Sequence, residues 1–229
     1  ELSRIMLALK TIIADIDKTF ESNRICVQGV ILMEESEIFS HESAKKSFQK
    51  SLCEYNIPAL SGVDTRALTQ ILRERGTILG ALADTQPQSF QDPLEGRFVP
   101  EVSPTRMEIL QPKNPSGKTV AFLDCGAKNG IFRNFLNRGV RVIRLPFDQD
   151  PFLLSEKFDG LFISNGPGDP ATCTETIEIV KKALDRGMPT FGICLGNQIL
   201  ALAAGAKTQK MKYGHRGVNQ PAQDIRNDK

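Results

Sequence analysis

Cys194 is the residue of this chain that is most clearly suited to chemistry, because of its neighbours. It lies in the run Pro189-Thr-Phe-Gly-Ile-Cys-Leu-Gly-Asn-Gln198, which small and apolar residues continue as far as residue 206. An apolar, strand-like segment therefore leads into a thiol and then into a helical pattern, which predicts a sharp strand-to-helix turn at Cys194. The partial positive charge and the free N–H groups of a helix start favour thiolate over thiol. The pattern thus indicates a cysteine nucleophile.

The alternative for Cys194 is a buried structural cysteine, which is the commoner role of a free thiol. The flanking residues argue against it. Gly192 and Gly196 bracket the thiol as glycines do where the backbone turns sharply or approaches another segment closely. A strand in the core needs neither glycine, so their spacing favours the nucleophile.

A second segment, Leu161-Phe-Ile-Ser-Asn-Gly-Pro-Gly-Asp-Pro170, is an apolar strand that ends in a Gly-Pro-Gly loop. At the carboxyl end of a parallel strand, such a loop offers backbone N–H groups to an anion or an oxyanion. It could cradle a phosphate, although it lacks the Gly-Lys-Ser/Thr ending of a P-loop, or it could be a plain turn. Two such loops after strands of one open sheet indicate a shared site.

Composition excludes several classes of function. With 29 basic and 27 acidic residues, the chain has no strong field to attract nucleic acid or an anionic membrane. Its five cysteines include no Cys-x-x-Cys pair, which indicates free thiols in a reducing compartment rather than disulfides or zinc. Two histidines are too few for a His-rich metal site. No apolar run approaches the roughly 20 residues of a membrane span, and residues 1–10 lack the basic start and the uninterrupted apolar stretch of a signal peptide. We therefore expect a soluble, cytoplasmic protein.

In the second half of the chain, strand-like and helical patterns alternate. This alternation predicts βαβ units and a mostly parallel sheet within a three-layer α/β fold. Ligands bind such sheets outside the carboxyl ends of the strands, and residues 124–126, residues 165–169 and Cys194 all fall there. The predicted strands are 119–124, 140–145, 160–164 and 190–193, and the predicted helices are 129–137, 174–185 and the one that follows Cys194.

The first half predicts a smaller mixed α/β domain. It has a strand at 24–33, a helix at 44–55 and a second helix that Asp64 caps and Gly76 stops. Residues 86–115 contain six prolines and predict a linker. The predicted domains are therefore 1–114, including the linker, and 115–229. Because the chain begins without Met and ends in a polar stretch, we expect it to be a piece of a longer protein.

The pattern Gly192-x-Cys194-x-Gly196-x-Gln198 resembles the nucleophile motif of class I, triad-type glutamine amidotransferases. Further segments resemble the glutaminase component of carbamoyl-phosphate synthetase, either a small subunit or the amino-terminal part of a fused enzyme. A different amidotransferase, serving anthranilate or guanylate synthesis, is disfavoured because segments 61–76 and 205–221 have no place in it. The segments are 61–76, 101–103, 120–126, 164–170, 191–198 and 205–221.

The resemblance implies that Cys194 attacks the carboxamide of glutamine and releases ammonia. The backbone N–H groups of Leu195 and Gly166 would form the oxyanion hole, and these two residues with Gly168 and Gln198 would bind the glutamine. The ammonia would pass to a large subunit or fused synthetase domain, which uses bicarbonate and ATP with Mg²⁺. The resemblance implies no cofactor or metal for this chain itself.

The chain departs from the family pattern in three ways, one of which is the absence of the amino-terminal stretch that carries a glutamine-contacting Ser in relatives. The catalytic His of the family and its orienting Glu lie beyond Lys229, and His215 belongs to another segment, so we expect residues 1–229 alone not to turn over glutamine. Asn197 stands where most active relatives have His. A competing hypothesis is therefore a non-catalytic regulatory or docking module of the same synthetase. Asn197 favours that module, whereas Cys194 and the two glycine loops oppose it.

Overall fold

The computed structural model describes residues 21–22, 25–36, 44, 46–76, 78–90, 96–212, 214 and 226. These residues belong to two compact units, one within Glu1–Gln91 and Lys210–Lys229 and the other within Asp92–Gln209. The predicted boundary between residues 114 and 115 falls inside the second unit, because residues before it add a strand to that unit's sheet. The assignment of the two domains stays a prediction.

The first unit is a small mixed α/β arrangement in which a helix connects two parallel strands, as parallel pairing requires. The carboxylate of Asp64 accepts the N–H groups of Arg66 and Ala67 at 3.0 and 2.9 Å, and Gly76 at φ +84° ends the same helix. The predicted capping is thus confirmed. The elements are β1 (Val30–Ile31), α1 (Phe48–Glu54), β2 (Ala59–Leu60) and α2 (Thr65–Arg75).

Two predictions for the first unit were too long. The strand expected at 24–33 is Val30–Ile31, and the helix expected at 44–55 is Phe48–Glu54. Residues 24 and 45 lie outside the described residues. The helix begins at residue 48 because the Ser47 hydroxyl accepts the Lys50 N–H at 3.3 Å and thereby sets its start.

The second unit is an α/β sheet domain. Its strands are β3 (Glu108–Leu110), β4 (Thr119–Asp124), β5 (Arg141–Pro146), β6 (Gly160–Ile163) and β7 (Thr190–Gly192). Its helices are α3 (Val99–Val102), α4 (Asn129–Asn137), α5 (Thr174–Asp185) and α6 (Leu195–Ala203), with short 3₁₀ turns at Pro151–Leu153 and Pro170–Thr172. The strand order is β3-β5-β4-β6-β7, and all pairs are parallel except β3 with β5.

The sheet is covered on both faces, because successive side chains of its central strands point in opposite directions. Ala121 and Leu123 of β4 contribute to the core cluster that includes the buried side chains of α5 and α6. Phe122, between them, faces α4, where its ring centroid lies 4.6 Å from that of Phe132. The predicted three-layer, mostly parallel α/β fold is confirmed, and the elements at 119–124, 129–137 and 174–185 have the predicted bounds.

Residues 86–115 were predicted to be a linker, but their described part contributes two elements to the second unit. Helix α3 has only four residues, and β3 has three, so neither carries a periodic pattern. Strand β3 pairs antiparallel with β5, with Ile109 opposite Ile143. Strand β3 forms through its pairing with β5 at the edge of the sheet. The paired residues are more than 30 positions apart in the sequence, so local sequence patterns do not reveal this contact.

Asp159 ties the starts of two neighbouring strands together. Its carboxylate accepts the Thr119 N–H at 2.8 Å and the Lys118 ammonium at 3.0 Å. These hydrogen bonds, the one from Thr119 first, hold the pKa of Asp159 below its ordinary value. The folded state therefore binds this proton less readily than the unfolded state does.

We predict that Asp159→Asn lowers the free energy of unfolding at neutral pH but not in acid. Because the pKa of Asp159 is lower in the folded state, its contribution is fully present above the ordinary aspartate pKa, roughly pH 4, and is lost as pH falls through the lowered value. Urea unfolding of wild type and variant over a pH series measures the difference. Asp185→Asn, at an exposed position, is the control. A wild-type-to-variant difference that does not change with pH would contradict the prediction.

Candidate active site

The strand-to-helix turn predicted at Cys194 is present. Strand β7 ends at Gly192, helix α6 begins at Leu195, and Cys194 is the residue that caps the helix, with φ 55° and ψ −111°. A positive φ is rare for a residue with a side chain, and holding it costs on the order of 1–3 kcal/mol. The thiol side chain is exposed. The turn therefore lifts a thiol into solvent at the start of a helix.

Two glycines make this turn possible. A Cβ on Gly192 would overlap the carbonyl group of Gly196, and a Cβ on Gly196 would overlap the carbonyl oxygen of Ile163 in β6. The first turn of α6 thus lies directly against the backbones of β6 and β7. The prediction that both glycines are positions of close backbone approach is confirmed.

The Gly-Pro-Gly loop follows β6 and lies at the same edge of the sheet as Cys194. In the parallel register Ile163 is opposite Gly192, so the two strands end side by side. A Cβ on Gly166 would lie 2.6 Å from Cδ2 of Leu195, which shows that the backbone of Gly166 packs against that side chain. The structure therefore brings the glycine loop next to the residue that follows the thiol.

Backbone donors remain available at this edge. Within the part of the chain that the structure describes, no hydrogen bond uses the N–H of Gly166, Gly168 or Leu195 as its donor. Unused N–H groups beside a nucleophile are what an oxyanion hole requires. The roles predicted for these residues stay predictions.

Gln198 and Asn197 both lie in the first turn of α6 and are exposed. The N–H of Gln198 donates to the carbonyl oxygen of Cys194 at 3.2 Å, so Gln198 is four residues along the helix and on the same face as the thiol. This position suits the substrate-binding role predicted for Gln198. The exposed amide of Asn197 is not part of the protein core.

Phe98 is a residue of the site that sequence reasoning missed. Gly168 has φ +86°, and a Cβ there would lie 3.4 Å from Cδ2 of Phe98. Phe98 immediately precedes helix α3, whose Val102 in turn packs against Gly126. The segment Glu101-Val-Ser103 within the family resemblance was the signal that could have placed this helix at the site.

The other cysteines differ from Cys194 in their surroundings. Cys125 and Cys173 are buried, and burial raises the pKa of both thiols. Cys26 and Cys53 are exposed, and neither begins a helix. Cys194 alone combines exposure with a helix start among the five free cysteines.

Among the described residues, no cluster of three or more His, Cys, Asp or Glu side chains could hold a metal ion. No helix in that part of the chain is long and apolar enough to cross a membrane. His41 and His215, the two histidines of the sequence, lie outside the described residues, as do eight of the 17 residues of the segment 205–221 that carried the family resemblance.

The protein families that this chain matches are consistent with the geometry of the site around Cys194. Residues 121–229 match the model described as glutamine amidotransferase class-I. Residues 11–82 match the model described as carbamoyl-phosphate synthase small chain, CPSase domain. The turn at Cys194 and the parallel sheet around it therefore lie in a region that matches class-I glutamine amidotransferases.

Relatives narrow the family further. Multifunctional protein CAD of Squalus acanthias is 46% identical over 215 residues, which are 90% of this chain and 9% of that protein. The carbamoyl phosphate synthase arginine-specific small chain of Aspergillus fumigatus is 41% identical over 216 residues, covering 91% and 47%. Carbamoyl-phosphate synthase [ammonia], mitochondrial, of Homo sapiens is 42% identical over 215 residues, covering 93% and 14%. The chain belongs to the carbamoyl-phosphate synthase small-chain family, and it spans less than half the length of each of these three relatives.

We predict that iodoacetamide alkylates Cys194 faster than any other cysteine of the folded protein. The turn presents the Cys194 thiol to solvent beside unused backbone N–H groups, whereas burial protects Cys125 and Cys173. Peptide mass spectrometry after short exposure gives the rate at each thiol, and we expect that of Cys194 to exceed that of Cys53 by about tenfold or more. Equal rates at Cys53 and Cys194 would count against a nucleophile at this turn.

We also predict that Gly196→Ala destabilises the second unit by about 1–3 kcal/mol, because its methyl group overlaps a strand carbonyl that cannot move freely. The same variant should slow alkylation of Cys194, since α6 must shift to relieve the overlap. Gly80→Ala is the matched control, because nothing lies within 4 Å of a Cβ at that position. Urea unfolding and the alkylation rate are the measurements. An unfolding free energy equal to that of Gly80→Ala would show that the helix start has room.

Proposed function

We propose that this protein hydrolyses glutamine and supplies the ammonia to carbamoyl-phosphate synthesis. The observation that carries the proposal is the exposed thiol of Cys194, held at φ 55° on the turn into α6. A backbone strain of this kind at an exposed nucleophile is typical of a functional site. The match to the class-I glutamine amidotransferase family supports glutamine as the substrate.

The chemistry begins with attack of the Cys194 Sγ on the carboxamide carbon of glutamine. The carbonyl oxygen becomes an oxyanion, which accepts hydrogen bonds from the N–H groups of Leu195 and Gly166; each such donor typically contributes about 3 to 4 kcal/mol. The C–N bond then breaks, ammonia leaves and a glutamyl thioester remains. Water hydrolyses the thioester, which releases glutamate and restores the thiol.

The residues around the Cys194 thiol bind the substrate. Gly168 and Gln198, together with Gly166 and Leu195, hold the glutamine beside Cys194. Transfer of the thiol proton to the leaving nitrogen, which gives ammonia, and removal of a proton from the attacking water require a residue that accepts and donates protons; such a residue typically contributes about 10²- to 10⁴-fold to the rate. The family resemblance assigns that role to a His oriented by a Glu, and we assign it to none of the described residues.

Delivery of the ammonia needs a synthetase partner. The match of residues 11–82 to the carbamoyl-phosphate synthase small-chain domain supports this assignment, as do the names of the relatives. We propose that the partner is a large subunit or a fused synthetase domain, and that it binds bicarbonate, ATP and Mg²⁺. We place the protein in the cytoplasm because its five cysteines are all free.

A second candidate function is a non-catalytic module that keeps the fold and stabilises the synthetase. Two features favour it: Asn197 in the first turn of α6, where the family resemblance implies His, and a relative at 42% identity whose name specifies ammonia. Cys194 and its strained turn oppose it, because a docking module has no use for an exposed thiol at a positive φ. The following experiment separates the two.

We predict that Cys194→Ser in the full-length protein, assembled with its synthetase, abolishes glutamine-dependent synthesis of carbamoyl phosphate and leaves ammonia-dependent synthesis intact. The serine hydroxyl is too weak a nucleophile at this site, whereas added ammonia bypasses the thiol. Assays with each nitrogen donor measure the two activities.

Cys53→Ser is the control for loss of an exposed thiol elsewhere, and we expect it to retain both activities. A wild-type protein that uses ammonia but not glutamine would establish the non-catalytic module. Glutamine-dependent synthesis that survives in Cys194→Ser would place the nucleophile at another residue.

A further inference from the structure

Asp124 is a buried carboxylate at the end of the central strand β4, and both of its oxygens are engaged. Its side chain is 0% exposed. Oδ1 accepts the N–H groups of Gly126 and Ala127 at 2.8 and 2.7 Å, and Oδ2 accepts Nε of Arg144 at 2.7 Å. Asp124 therefore fixes the turn that leaves β4 while Arg144 on the neighbouring strand fixes Asp124.

The turn held by Asp124 is bonded to the loop that carries Gly166. The Asn165 Nδ2 donates to the carbonyl oxygen of Gly126 at 3.0 Å, and the Cys125 N–H donates to Oγ of Ser164 at 2.8 Å. A further hydrogen bond of 3.2 Å runs from the Lys128 N–H to Oδ1 of Asn165. Three hydrogen bonds thus join two loops that belong to different strands.

Close packing completes the connection to Gly166. A Cβ on Gly166 would overlap the carbonyl oxygen of Cys125, and a Cβ on Gly126 would lie 3.6 Å from Cα of Gly166 and 3.2 Å from Cδ of Pro167. The backbone at Gly166 therefore packs against both the turn that Asp124 holds and the side chain of Leu195. A displaced turn would displace the N–H of Gly166 with it.

We propose that Asp124 is a positioning residue that acts through residues 125–127 to set the place of the Gly166 N–H. The part of this inference that concerns catalysis rests on the proposed function. An oxyanion donor is effective only at hydrogen-bonding distance from the oxygen of the tetrahedral intermediate, and a misplacement of about 1 Å can cost on the order of 10²-fold in rate. Among the described residues, the side-chain hydrogen bonds of Asp124 run to Gly126, Ala127 and Arg144 and not to Cys194.

Asp124→Asn and Glu108→Gln form a matched pair of variants. Glu108 on the edge strand β3 accepts NH1 of Arg144 at 2.8 Å, so both substitutions remove a carboxylate that pairs with the same guanidinium. Only the first removes the carboxylate that holds the turn. Each is tested in the full-length protein.

The first measurement is steady-state hydrolysis of glutamine, compared with alkylation of Cys194 by iodoacetamide. We expect Asp124→Asn to lower kcat by about tenfold or more, with a smaller change in KM, and to leave the alkylation rate within about twofold, because alkylation forms no oxyanion. Glu108→Gln should leave all three values near those of wild type. Equal losses of kcat and alkylation rate in Asp124→Asn would overturn the proposal, because they would indicate general disruption of the domain.

The second measurement does not depend on glutaminase activity. Hydrogen exchange at the amides of residues 164–169 should be faster in Asp124→Asn than in wild type or Glu108→Gln, and unchanged exchange would overturn the proposal. A wild-type protein without glutaminase activity would refute the proposed function, and the exchange comparison would still decide the role of Asp124. If Asp124→Asn does not fold, Arg144→Gln replaces it in the same comparison with Glu108→Gln, because it removes the only cation bonded to Asp124 in the described part of the chain.

Discussion

The contact on which this site depends is the approach of helix α6 to the backbones of β6 and β7. No side chain fits between Gly196 and the carbonyl group of Ile163, or between Gly192 and Gly196. Between these two close contacts, Cys194 has a positive φ of 55°. The strain is sustained by its surroundings: Ile193 donates to the carbonyl oxygen of Ile163 at 3.1 Å, and the side chains of Leu195 and Ile199 are buried.

Leu195 connects the hydrophobic core to the predicted oxyanion hole. Its side chain is 1% exposed and packs in the cluster between the sheet and α5, while its N–H lies at the first position of the helix, where no intrahelical acceptor exists. Burial of the side chain, which typically contributes about 1.5–3 kcal/mol, thereby fixes the direction of a backbone donor. The same side chain supports Gly166 from one side, so both predicted oxyanion donors depend on one packed residue.

Much of the second unit could be predicted from sequence because its signals are local. The apolar run of β4 and the amphipathic pattern of α5 gave correct bounds, and the nucleophile turn followed from two glycines around a thiol. Strand β3 could not be found in this way, since it has three residues in a proline-rich segment and Ile109 is 39% exposed. The same limit applies within the site. Phe98 meets Gly168, and Asp124 meets Arg144 and the loop of Asn165, only after the chain has folded over 20 to 70 positions.

The ion pair of Asp124 and Arg144 is better explained by geometry than by stability. Burying a carboxylate is costly, and a buried ion pair seldom repays the desolvation of both partners. An apolar residue at the end of β4 would pack with less cost, but it could not accept the two N–H groups of the turn. The N–H groups of Gly126 and Ala127 would then form hydrogen bonds with other acceptors, and the turn would have several conformations of similar energy. A charged acceptor at this position selects one of them, and the cation–π contact of Arg144 with Phe132, 5.1 Å from its ring centroid, anchors the pair to the packed face of the sheet. The ion pair in this way connects the glycine loop to the packed face of the sheet.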